Sequence, residues 1–182
     1  MILREKISRR LLSRMDKHTP RFFYRIQIQA LADLAADSFG RERIRISRGS
    51  HAQALKEYAQ FTELCMETCT ADPERLFRDA YELGARVRRL SGLTDRSDLQ
   101  KLVFQLYRNI DIFMVGELPG EISVLGCYFS RFYTPRQCEL MSCVDSGIVS
   151  GIFGGGELTF SRRITEGCES CVARFCEEGN NE

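Results

Sequence analysis

The chain has 182 residues, 43% hydrophobic and 28% charged, the balance of a globular domain long enough for one core plus a helical arm. No apolar run approaches the ~20 residues of a membrane helix, and the opening MILREKISRRLLSRM lacks the continuous apolar stretch of a secretory signal. Net charge is +1, but residues 1–50 hold 12 Lys/Arg against 5 Asp/Glu and 51–182 hold 14 against 20; without interleaved aromatics or a recognisable motif, nucleic acid is not an expected partner of the basic arm.

In chain order, Ile2, Leu3, Ile7, Leu11 and Leu12 fall at helical spacing and predict a short amphipathic helix over 2–15. Thr19-Pro20 has the form of an N-cap followed by proline in the first turn. The helix behind it buries Phe22, Phe23, Ile26, Ala30, Leu31 and Leu34 and stops at Gly40. RERIRISRG alternates isoleucine with arginine, as an edge strand or an extended connector does. The basic helical arm is therefore assigned to 1–49 and an α+β domain to 50–182.

Ser50 caps a third helix carrying Ala54, Leu55, Tyr58, Phe61, Leu64 and Cys65 inward, and Asp72-Pro73 opens a fourth that Ser91-Gly92 closes. A fifth helix is expected from Ser97 through Leu99, Leu102, Val103, Leu106 and Ile110 toward Val115, with a turn at 117–120. The period then changes. Strands are expected within 121–129, 157–165 and 170–177, with a helix from Thr134-Pro135 to the Gly154–Gly156 turn. The fold class predicted is α+β: a mainly helical first two thirds, then strand–helix–hairpin in a small antiparallel sheet.

Six of the eight cysteines lie between Val124 and Glu177. With no secretory signal, they point to a reducing, cytoplasmic compartment where thiols bind metal, react or simply pack. Cys168-x-x-Cys171 suits a shared metal ion or a redox dithiol. Cys138 and Cys143, five residues apart on one helix, diverge by roughly 140°, so one metal can take only Cys138. The candidate metal set is thus Cys127, Cys138, Cys168 and Cys171, for zinc, iron or an iron–sulfur cluster. Against it stand a catalytic thiol and plain core packing, the commonest use of free cysteine. His18 and His51 are both remote in sequence from this stretch.

The glycine run 154–156 follows a helix and precedes a strand, the reverse of a phosphate-binding loop, so nucleotide binding is not expected. Arg131, Arg162, Arg163 and Arg174 flank the strands, where they can receive a carboxylate or stand exposed. Glu166 and Asp145 are candidate proton carriers if burial raises their pKa, or charges at element ends if it does not.

Cys127-x-Phe129-Ser130, Tyr133-Thr134-Pro135-x-x-Cys138, Met141, Asp145-x-Gly147, Arg163-x-x-x-Gly167 and Cys171-x-x-x-Phe175 together resemble a bacterial family. It is the family named for L-2-amino-thiazoline-4-carboxylic acid hydrolase, and the likeness spans roughly residues 81–176. The closing G-x-x-x-C-x-x-x-F also resembles the C-terminal part of iron-dependent plant β-carotene isomerases. The resemblance implies an α+β fold, a site near Cys138 and Cys171, and opening of a thiazoline ring by water to give a carbamoyl-cysteine. The expected enzyme acts on a small carboxylate-bearing heterocyclic or sulfur-containing molecule. Cys138 or Cys171 would be nucleophile or metal ligand, Glu166 the acid/base, Arg163 the carboxylate anchor and Tyr133 part of the substrate wall. Cys143, Cys168 and Cys176 are extra to the shared pattern and favour a metal- or cluster-binding relative. The rival expectation is a non-catalytic protein that binds a metal, cluster or small ligand; a homo-oligomer fits either.

Overall fold

The computed structural model describes residues 21–177, so the predicted helix over 2–15 and the Thr19-Pro20 cap lie outside the described residues. Within them run α1 (Arg21–Phe39), α2 (His51–Thr68), α3 (Pro73–Ser91) and α4 (Arg96–Arg108). There follow β1 (Ile112–Gly116), β2 (Gly120–Cys127), a 3-10 turn at Tyr128–Arg131, α5 (Pro135–Phe153), β3 (Glu157–Arg162), a second 3-10 turn at Ile164–Glu166, and β4 (Cys171–Cys176). The four strands form one antiparallel sheet in the order β1-β2-β4-β3. The α+β architecture, helical first and sheet last, is the one expected.

Local chemistry sets most boundaries. The Ser50 side chain accepts from Gln53 N, and Asp72 accepts from Glu74 N and Arg75 N with Pro73 in the first turn. Thr134 and Gln137 form a reciprocal capping box at the start of α5. Gly92 and Gly154 end α3 and α5 at φ 65° and 91°, backbone that L side chains avoid. The stretch RERIRISRG forms no strand; it is an extended connector, and Gln29 binds both Ile44 O and Ile46 N along it.

One boundary differs. The fifth predicted helix was to run toward Val115, but α4 ends at Arg108 and the chain enters β1 instead. Asp111 takes φ 55°, a conformation that stops a right-handed helix. Beyond it Ile112 and Met114 are buried while Phe113 and Val115 are exposed, a two-residue period. Pairing with β2 satisfies the backbone, so the sheet gains an edge strand that helical spacing through Ile110 concealed. Phe160 and Val172 share the sheet as expected, on adjacent strands β3 and β4.

Helix α5 is the hub, in contact with α3, α4 and β3. Its approach to α3 is set by glycine: a Cβ on Gly147 would sit 2.5 Å from Phe77 O and 2.7 Å from Ala80 Cβ. Gly84 and Gly151 oppose Ile148 O and Tyr81 O just as closely. On the other side Val149 and Ile152 join Ile122, Val124, Leu158, Ala173 and Phe175 in the main core. A smaller core holds Leu34, Phe39, Cys65, Leu76 and Val144 where α1, α2, α3 and α5 meet.

Candidate functional site

Between these helices lies a cavity of about 470 Å³, within the usual size of small-molecule pockets. Its walls are overwhelmingly aliphatic: Leu31 from α1, Leu83 and Val87 from α3, Leu106 and Ile110 at the end of α4, Met141, Val144 and Ile148 from α5. Ile26 and Leu90 also line it and are 52% and 72% exposed, which marks the mouth. Two amides brace α1 to α4: Gln27 Nε2 donates to Leu106 O at 2.7 Å and accepts at Oε1 from Asn109 Nδ2 at 3.2 Å.

The polar end is built from α5, α4, α2 and the β2–α5 segment. The α5 helix presents Asp145 and Cys138 to the cavity, β2 ends in Cys127, and the 3-10 turn and its exit supply Phe129 and Tyr133. Tyr107 of α4 donates its hydroxyl hydrogen to Asp145 Oδ1 at 2.9 Å. Among the described residues this is the one hydrogen bond to that carboxyl. Phe129 stacks on Tyr133 (centroids 5.8 Å, 15°) and meets Tyr58 edge-on (5.6 Å, 89°). The Tyr133 hydroxyl is shared with Thr62 Oγ1 at 2.5 Å.

Burial dominates the electrostatics here. It lifts the Asp145 carboxyl from 3.8 to about 6, although the Tyr107 hydrogen bond and the Arg163 charge pull the other way. The Tyr107 phenol is driven well above its ordinary value by burial, and the neighbouring carboxylate adds to this. Burial also pushes the Cys127 thiol up to about 12, and it raises Cys138 despite an offsetting contact with Thr165. Thr165 Oγ1 is itself buried without a hydrogen-bond partner in normal geometry, beside that thiol. At neutral pH these thiols and phenols are neutral donors, and Asp145 is the group whose raised pKa lies nearest neutrality.

The sequence-derived candidates divide accordingly. Cys127, Cys138, Tyr133 and Asp145 line one cavity; Cys171, Cys168, Glu166 and Arg163 do not. Cys171 is buried at the start of β4, and its Sγ accepts from Ile164 N at 3.3 Å. Glu166 is exposed and fastens the turn, accepting from Arg163 N at 3.1 Å with its other oxygen 3.4 Å from Arg163 Nη1. Arg163 Nε reaches Ser142 Oγ at 3.4 Å, so its guanidinium is engaged outside the cavity while its field still reaches Asp145 and Cys138.

The metal expectation is not met by the donor set. Among the described residues no three His, Cys, Asp or Glu side chains gather as a group able to hold a metal ion. The set Cys127, Cys138, Cys168 and Cys171 is thus not brought together as one donor group. The reason is topological: Cys127 and Cys138 face the cavity, whereas Cys171 turns to the Ile164 amide and Cys168 stays in the loop before β4.

Sequence reasoning missed Tyr107. It stands one helical turn beyond Val103 on the buried face of α4, and a core tyrosine calls for a hydroxyl partner, which an inward Asp on another helix supplies. Compared with family models, curated proteins and solved structures, the chain finds no match.

Proposed function

We propose that this protein is an enzyme that takes a small molecule into the largely apolar cavity and acts on it by proton transfer at Asp145. The observation that carries this is a carboxyl at the polar end of an aliphatic cavity, bonded to Tyr107 and raised to about 6. A general acid/base works best when its pKa lies near the working pH.

The reaction class that the resemblance to the thiazoline-carboxylate hydrolases suggests is ring opening by water. In that chemistry the ionised Asp145 accepts a proton as water adds to the ring carbon between nitrogen and sulfur. The carbon–sulfur bond then breaks, and the proton held on Asp145 passes to the departing sulfur. The carboxylate is regenerated and one water is consumed. Tyr107 positions the carboxyl throughout. Cys138 is a wall of the site, since a thiol held protonated by burial is a poor nucleophile. Arg86 is the arginine lining the cavity and is the better placed to meet a substrate carboxylate.

The test is turnover of 2-aminothiazoline-4-carboxylate, with the carbamoyl-cysteine product identified by mass spectrometry. Asp145→Asn should lower kcat by about 100-fold or more, and Cys138→Ala should stay within about tenfold of the parent. Loss of activity in Cys138→Ala with Asp145→Asn unaffected would reverse the assignment. A second reading, ligand binding without turnover, draws support from the neutral thiols; saturable binding with no product from any thiazoline would favour it.

A further inference from the structure

The charge pattern at the polar end restricts what can occupy it. Asp145 brings the formal charge that lines that end; Tyr107, Tyr58, Cys127 and Cys138 around it are neutral donors at neutral pH. Arg163, whose field reaches Asp145, is engaged with Ser142 and Glu166 and does not enter the cavity. Gln27 and Asn109 bind each other and the α4 backbone, so their amides hold the wall together.

An ionised carboxylate offers about four acceptor positions, and Tyr107 fills one of them. In this setting the remaining positions attract a charge-assisted donor, because Coulomb interactions strengthen as water is excluded. An anionic group would meet like charge there, and among the described residues Arg163, the cation whose field reaches Asp145, does not line the cavity.

Resting on the reading that the cavity takes a small molecule, we propose that its ligand carries a protonated nitrogen seated on Asp145, with an apolar body directed toward Ile26 and Leu90 at the mouth. This sets an orientation as well as a class. Any carboxylate of the ligand lies at the mouth, near Arg86, and away from Asp145.

Three probes of one shape separate the possibilities: benzylamine, benzyl alcohol and benzoate, titrated calorimetrically into the full chain at pH 7.5 and millimolar concentration. Benzylamine should bind about tenfold or more tighter than benzyl alcohol, the usual worth of a charge-assisted hydrogen bond, and benzoate weakest. Asp145→Asn, with folding checked by far-UV circular dichroism, should erase the benzylamine advantage and leave benzyl alcohol within about threefold. Benzylamine binding no tighter than benzyl alcohol, or an advantage that survives in Asp145→Asn, overturns the head-group assignment and leaves the cavity reading intact. Failure of all three to bind overturns both.

Discussion

Replacing Asp145 with asparagine tests the central electrostatic claim without any ligand. The carboxyl rises from 3.8 to about 6 on folding, and at 1.36 kcal/mol per pH unit that difference amounts to about 3 kcal/mol at most. Between these values the native state binds more protons at this site than the unfolded chain. Stability from Asp145 is therefore greatest below pH 4 and is lost as pH rises through about 6. Asparagine keeps an acceptor for Tyr107 but has no charge to desolvate. It still buries an amide, so the expected gain at pH 7.5 is about 2 kcal/mol. Asp37, lowered by its Arg43 partner, and Glu57, lowered by the Ser47 amide, titrate with the opposite sign. They cancel when mutant is subtracted from parent. The chain has no tryptophan, so urea unfolding is followed by far-UV circular dichroism from pH 4.5 to 8. The mutant-minus-parent difference should grow across pH 4.5–7 and then level. Parallel curves, or a mutant less stable at pH 7.5, would show that the carboxylate is not strained by burial and would remove the basis for its acid/base role.

Tyr107→Phe deletes the hydroxyl that favours the charged carboxyl, so NMR titration of labelled Asp145 should give a midpoint above that of the parent; an unchanged or lower midpoint contradicts the geometry. Gly151→Ala and Gly84→Ala place a methyl against Tyr81 O and Ile148 O across the α3–α5 contact. Each should destabilise thermal unfolding by about 1–3 kcal/mol of overpacking, despite the ~1 kcal/mol that alanine gains over glycine in a helix. Gly126→Ala, with nothing within 4 Å of its Cβ, is the neutral control. Iodoacetamide at pH 7.5 should label exposed Cys176 well before half-buried Cys127 and buried Cys65, whose thiols burial pushes up to about 12 and about 11; peptide mapping that finds the reverse order would disprove the protonated state of those two.

The sequence by itself determined most element ends and the fold class, because these depend on near neighbours. Ser50, Asp72 and Thr134 cap helices, and Gly92 and Gly154 release them, through bonds and φ angles set within four residues. The alternation in β3, and in β4 from Ala173 to Cys176, likewise encodes one buried face, while Cys171 and Val172 are both buried. Asp145 was visible as a possible proton carrier, but its role depends on burial, which no local pattern supplies. Even β1 escaped: Ile110, Ile112 and Met114 serve a helical or a strand period over so short a run, and only β2 alongside decides between them.

The site itself was decided by the tertiary structure. Cys127, Cys138, Cys168 and Cys171 fall at the ends of predicted elements in one cysteine-rich stretch, which groups them as one set. Packing gives them different surroundings, lining the cavity with Cys127 and Cys138 and turning Cys171 to a backbone amide, although Cys138 still feels the charge of Cys171. Conversely it brings Tyr107 to Asp145 across 38 positions and closes the cavity with α1 and α3, which carry no motif at all. The physical reason is that the raised proton affinity of Asp145 arises from desolvation. Desolvation belongs to a place where several helices meet, and those helices approach as they do because three glycines let α3 and α5 touch.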